Sequence, residues 1–111
     1  WTVVSYPFAK FFNADEPHAK ETLAAFDWAT AKATEKYDGS LMTLYWYANR
    51  WNVSSGTLPA ADGPLPSRDT SIGSTFAQAF WHTWEASSYT LPEDKRCCYM
   101  FELTLPQHTI V

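Results

Sequence analysis

Apolar and polar positions fall into short runs with distinct periods. Residues 41–47, Leu-Met-Thr-Leu-Tyr-Trp-Tyr, are apolar on both faces of an extended chain, which predicts a central, well covered strand. Ala48-Asn49 predicts a turn, and Arg50 to Ser54 an antiparallel return. The β-branched and aromatic residues of Trp1 to Tyr6 predict a strand that Pro7 ends. Thr34 to Tyr37 reads as the end of another strand, with Asp38-Gly39 as a hairpin-type dipeptide. Cys97 to Thr104 predicts a further strand, apolar except for Glu102.

Helical spacing is clearest in Ser74 to Ala86. Phe76, Phe80 and Trp84 recur every four residues, with Ala77 and Trp81 beside them, so the stripe should pack on the sheet. Ser71 or Ser74 is the expected cap. A turn or two of helix is expected over residues 18–26, where Pro17 suits the start. Gly56, Pro59, Gly63, Pro64 and Pro66 crowd residues 56–70, which predicts a loop, long for a compact domain unless it has a function. Hairpins with one packed helix imply an α+β fold with a mainly antiparallel sheet.

Composition narrows the class. The 111 residues suit one domain, and 17% aromatic residues supply a core that a disordered chain would lack. A net charge of −4 argues against a freestanding, non-specific nucleic-acid binder, which normally carries a basic face. The adjacent Cys97 and Cys98 are poorly placed to bridge each other, and free thiols suit a reducing, intracellular setting. No apolar run is long enough for a membrane span, and no signal peptide is recognisable. The chain starts at Trp1, and Thr109-Ile110-Val111 reads as a strand only begun, so a piece of a larger domain is expected.

Two charged residues stand out. Lys36 precedes Asp38-Gly39. A lysine attacks phosphorus only as the neutral amine, and at an ordinary pKa near 10.4 roughly four in ten thousand are neutral at pH 7. A nucleophilic lysine therefore needs desolvation or a cationic neighbour. Gly39 would let a nucleotide approach the backbone closely. The plain alternative is a surface lysine before a turn. Glu102 is either a carboxylate in a nucleotide cleft or a strand residue facing solvent. His18, His82 and His108 have no ligand-like spacing and read as ordinary polar positions, and the aromatic run at 45–51 reads as sheet core before base platform.

In combination these segments resemble the adenylation domain of ATP-dependent RNA ligases of the T-even phage kind, within the covalent nucleotidyltransferases. Residues 7–13, containing Lys10-Phe11-Phe12-Asn13, are similar to the segment ahead of the nucleophile, with Glu16 shortly after. Glu35-Lys36-Tyr37-Asp38-Gly39-Ser40-Leu41 resembles motif I. Val53-Ser54-Ser55-Gly56 falls at the family's Lys/Ser/Gly segment, and Phe101-Glu102-Leu103 with Pro106 and Ile110-Val111 resembles motif III. The likeness runs in family order over nearly the whole chain.

The resemblance implies a nucleotidyltransferase fold, of which residues 1–111 form the N-terminal part. It implies ATP and Mg²⁺ as cofactors, and RNA ends, a 5′-phosphate and a 3′-hydroxyl, as substrates. Lys36 would be the catalytic nucleophile. Lys10, Glu35, Asp38, Gly39 and Glu102 would bind nucleotide, Lys10 at the phosphates and Glu102 at the ribose. Ser55 stands where the family often has a basic residue, and His108-Thr109 where it tends to Asn-Arg. Motifs IV and V are absent from the 111 residues, so little activity is expected from this piece alone. Rival readings are another covalent nucleotidyltransferase, such as a DNA ligase or capping guanylyltransferase, and a non-catalytic module for nucleic acid or sugar.

Overall fold

The computed structural model describes residues 1–10, 12–66 and 71–105. In chain order these form helix α1 (Pro17–Ala24), a single 3₁₀ turn (Trp28–Thr30), strands β1 (Ser40–Tyr47) and β2 (Arg50–Ser54), helix α2 (Phe76–Ala86) and strand β3 (Tyr99–Leu103). The strands make one antiparallel sheet in the order β2-β1-β3, so the apolar β1 is central as its sequence predicts. An α+β architecture is thus present.

The β1–β2 hairpin closes through Ala48 and Asn49, both at positive φ (51° and 61°), the left-handed pair that suits the right-handed twist of flanking strands. Pairing of Trp46 with Trp51, and of Leu44 with Val53 and Tyr99, sets the register. Side chains alternate across a strand. Met42 and Leu44 therefore share a face with Trp51, Val53, Phe101 and Leu103, and α2 covers it with Ala79, Phe80 and Trp84. Met42 and Leu44 are fully buried there. The ring of Phe80 packs against those of Trp84 and Phe101, at centroid distances of 5.6 and 5.7 Å. The helical stripe lies where its four-residue spacing predicts.

The cap of α2 differs from expectation. Thr75, rather than Ser71 or Ser74, is the N-cap, its hydroxyl accepting from the Gln78 backbone at 3.3 Å. Gln78 reaches back to accept from the Ser74 backbone and hydroxyl, at 2.8 and 3.2 Å. This is a capping box shifted by one residue at its return bond.

Two expected strands are absent. Residues 1–6 and 34–37 carry no secondary structure. Strand propensity needs a ladder to join, and the described sheet ends at β2 and β3. The N-terminal segment instead touches Cys98, the residue before β3, whose thiol donates to the Tyr6 carbonyl at 3.1 Å. The described part of the 56–70 loop, residues 56–66, packs more closely than its composition suggests. Ala61 and Leu65 are buried in the core, and Pro64 bridges to Thr75. The expected beginning of a strand at Thr109-Ile110-Val111 lies outside the described residues.

Candidate functional site

Gly39 fixes the start of β1 against its neighbouring strand. It stands immediately before β1, where Ser40 pairs with Leu103. A Cβ at position 39 would overlap the Leu103 carbonyl oxygen and come within 3.2 Å of the Glu102 side chain. Asp38-Gly39 is thus no hairpin turn. It is a close backbone approach that sets Gly39 against Leu103 and Glu102 at the end of β3, where Glu102 has Leu41 as its register partner.

Around that contact the charged groups are open to solvent. Lys36 pairs with Asp38 at 3.4 Å, with side chains 82% and 65% exposed. Such an exposed pair adds little stability, about 0–1 kcal/mol. The Glu35 carboxylate accepts from the Tyr37 hydroxyl at 3.0 Å. Glu102 is exposed, on the face opposite Phe101 and Leu103, so the solvent-facing reading of this carboxylate describes its position. Lys36 sits in water beside a carboxylate, rather than in the dry or cationic surroundings in which a lysine becomes nucleophilic.

Lys10 lies in a separate place. Its ammonium stands 4.9 Å over the Phe12 ring, and both line a shallow cleft with Ala14, Ala19, Thr22 and Leu23 of the α1 region. Asn13 donates from its backbone and its amide to Glu16, at 3.2 and 3.1 Å, tying the end of the segment to the start of α1. Phe11 lies outside the described residues, as do Pro106, His108 and Ile110-Val111 of the motif III likeness. The structure therefore brings Gly39 and Glu102 together, with Lys36 and Asp38 nearby in sequence, and places Lys10 with α1. His18 stacks on Phe12 at 5.3 Å and His82 is exposed, which leaves both as ordinary polar positions. Among the described residues, no three His, Cys, Asp or Glu side chains gather to hold a metal ion, and no helix is long and apolar enough to cross a membrane. Cys97 and Cys98 are free thiols.

Sequence reasoning did not single out two further clefts. One, of about 290 Å³, lies where α2 meets the end of β3, between Phe80, Trp84, Tyr89 and Phe101, and has the candidate residue Glu102 in its lining. The other, of about 340 Å³, follows β2, with Arg50, Trp51 and Trp81 in its lining. The repeated tryptophans were the available signal for both, but core packing accounts for such spacing equally well.

Comparison with known proteins gives one curated relative. The chain is similar to the RNA ligase of Rhodothermus phage RM378, with 29% identity over an alignment of 135 positions. That alignment takes in all of the chain and 31% of the phage protein, so the chain spans about a third of its relative's length. No family model matches, and no solved structure matches. The similarity supports a relation to an RNA ligase.

Proposed function

We propose that this chain carries the lysine nucleophile of an ATP-dependent RNA ligase and forms the N-terminal part of its adenylation domain, related to the T-even phage type. The observation that carries the reading is the likeness of the entire chain to a phage RNA ligase, in a sequence that holds Lys36-Tyr37-Asp38-Gly39. The close approach of Gly39 to β3 supports it, because it sets the glycine of that tetrapeptide beside Glu102.

In this reading the neutral Nζ of Lys36 attacks the α-phosphorus of ATP. The P–N bond forms, the bond to the bridging oxygen breaks, pyrophosphate leaves with the electron pair, and Nζ loses a proton. An RNA 5′-phosphate oxygen then attacks the same phosphorus and breaks the P–N bond, and the lysine amine is regenerated as it takes up a proton. A 3′-hydroxyl finally attacks the 5′-phosphorus and displaces AMP. Glu102 beside Gly39 would accept from ribose hydroxyls, Asp38 would orient Lys36, and Glu35 and the backbone at Gly39 would border the nucleotide. Lys10 would meet the phosphates once the N-terminal segment and the Lys36 segment are drawn together. The described carboxylates do not form a metal cage. Mg²⁺ would arrive on the triphosphate and neutralise the leaving group there.

The solvent-exposed Lys36 implies that the remainder of the domain must cover it, because closing a site excludes water and strengthens its electrostatics. The test uses the full-length protein with Mg²⁺ and ATP labelled on the α-phosphate, followed by denaturation. An acid-labile, protein-bound label that Lys36→Ala abolishes is expected. No label in the folded, full-length protein overturns the reading, and labelling by GTP alone moves it to a capping guanylyltransferase.

A further inference from the structure

The cleft along β2 lies far from the Lys36 segment in sequence and has a different chemistry. It follows the outer edge of the sheet, with Trp51 and Trp81 in its wall, Pro59 and Ala60 across from them, and Arg50 at one end. Because β2 is an edge strand, the cleft is reached from both faces of the sheet, and Arg50 and Trp51 can contribute to it from opposite faces. Both indoles are half-buried and held by rings. Trp51 packs on Trp46 and Tyr99 at 5.6 and 6.0 Å, and Trp81 on Phe80 and Trp84 at 5.2 and 6.2 Å.

Arg50 is exposed but not loose. Its Nε donates to Asn52 Oδ1 at 3.2 Å, and the Asn52 amide donates in turn to the carbonyls of Tyr47 and Arg50, both at 2.9 Å. The side-chain bond uses Nε, so the donors a phosphate would take are those on the two Nη groups. Among the described residues Arg50 makes no ion pair. Outside the cleft's lining, Lys95 Nζ stands 4.0 Å over the ring of Trp46, the neighbour of Trp51.

We propose that this cleft docks a nucleotide of single-stranded RNA, its base stacked on the indoles and its phosphate on Arg50. The polymer is taken as RNA because the inference rests on the ligase reading above. Rigid aromatic faces with nearby cations are how a single strand is held without sequence preference. A volume near 340 Å³ is at the lower end for small-molecule sites and suits one nucleotide. The net charge of −4 supplies no general attraction for RNA, so affinity has to be local. This cleft would hold a strand before sealing, apart from the adenylate.

The test measures binding of a fluorescein-labelled oligoadenylate RNA to the full-length protein by anisotropy, without ATP. Arg50→Gln should weaken binding about tenfold and lower the slope of log affinity against log salt by about one. Trp81→Leu should weaken it by roughly fivefold or more. Arg50 is exposed, so its variant keeps the proposal testable if Trp81→Leu misfolds. An affinity unmoved by Arg50→Gln, at unchanged melting temperature, overturns the proposal. So does occupation of the cleft by a proline-rich peptide that RNA fails to displace. The two readings fail separately. A protein that forms no lysyl adenylate but loses RNA affinity in Arg50→Gln retains the cleft and not the ligase. One that adenylates while the variant binds RNA normally retains the ligase and not the cleft.

Discussion

Gly39 and the carbonyl of Leu103 lie in such close contact that no side chain fits between them. The contact fastens the start of β1 to the end of β3, where Ser40 and Leu103 begin their ladder. Gly39→Ala forces the backbone of one strand aside. Overpacking of this kind costs about 1–3 kcal/mol. The expected result is a lower urea midpoint with an unchanged slope. If the ligase reading holds, it also brings a loss of adenylation larger than the stability loss explains.

The hairpin turn offers a gain. Ala48 adopts φ 51°, a region that disfavours a Cβ, and Asn49 follows at 61°. The favoured pair for such a turn is Asn-Gly. Replacing Ala48-Asn49 by Asn-Gly should stabilise the protein by about 0.5–1 kcal/mol, read as a higher melting temperature. The same change should leave Lys36-dependent labelling untouched, because the turn is at the opposite end of β1.

The cap of α2 separates hydroxyls that the sequence leaves equivalent. Thr75→Ala should cost about 1 kcal/mol in chemical denaturation. Gln78→Ala should cost part of the same amount, because it removes the acceptor for Ser74.

Acid should act through Asp94. Its carboxylate accepts from the Arg96 side chain at 3.0 and 2.9 Å and from the Arg96 backbone at 2.9 Å, and these bonds hold its pKa well below the usual carboxylate range. A folded-state pKa depressed in this way contributes stability above the unfolded value of about 3.9, and the contribution fades as pH falls through the folded value. The melting temperature of the unaltered protein should exceed that of Asp94→Asn near neutrality, and the gap should shrink progressively as pH falls below the unfolded value of about 3.9. High salt should narrow the gap, because Asp94 is 38% and Arg96 90% exposed.

The strands and helix that form were legible because each joins a short-range signal to a partner. Residues 41–47 have β2 one turn away, and Phe76, Phe80 and Trp84 have a sheet face of matching apolar residues. Trp1 to Tyr6 carries an equally good strand composition, but a strand is a relation between segments and no ladder meets it. Asp38-Gly39 misleads for a related reason. A glycine that serves a close approach to a distant strand looks, locally, like one that serves a turn. In the candidate site, Lys36 and Glu102 were singled out as residue types, but whether Glu102 faces water depends on which parity of β3 meets α2. The β2 cleft was hidden because a tryptophan that walls a groove and one that fills a core have the same spacing.

The fixed contact at Gly39 also acts as a tether. Lys36 lies three positions before it, and a chain spans at most about 3.3–3.6 Å per residue, so the Lys36 Cα stays within roughly 11 Å of Gly39 whatever conformation the segment takes. Glu102 already borders that anchor point. The lysine side chain extends that reach to roughly 16 Å, and one amine confined to a half-sphere of that radius corresponds to an effective concentration on the order of 0.1 M. A nucleotide resting on Glu102 would thus have the amine at that local concentration before any closure, and covering the site would have only to dry and aim the lysine.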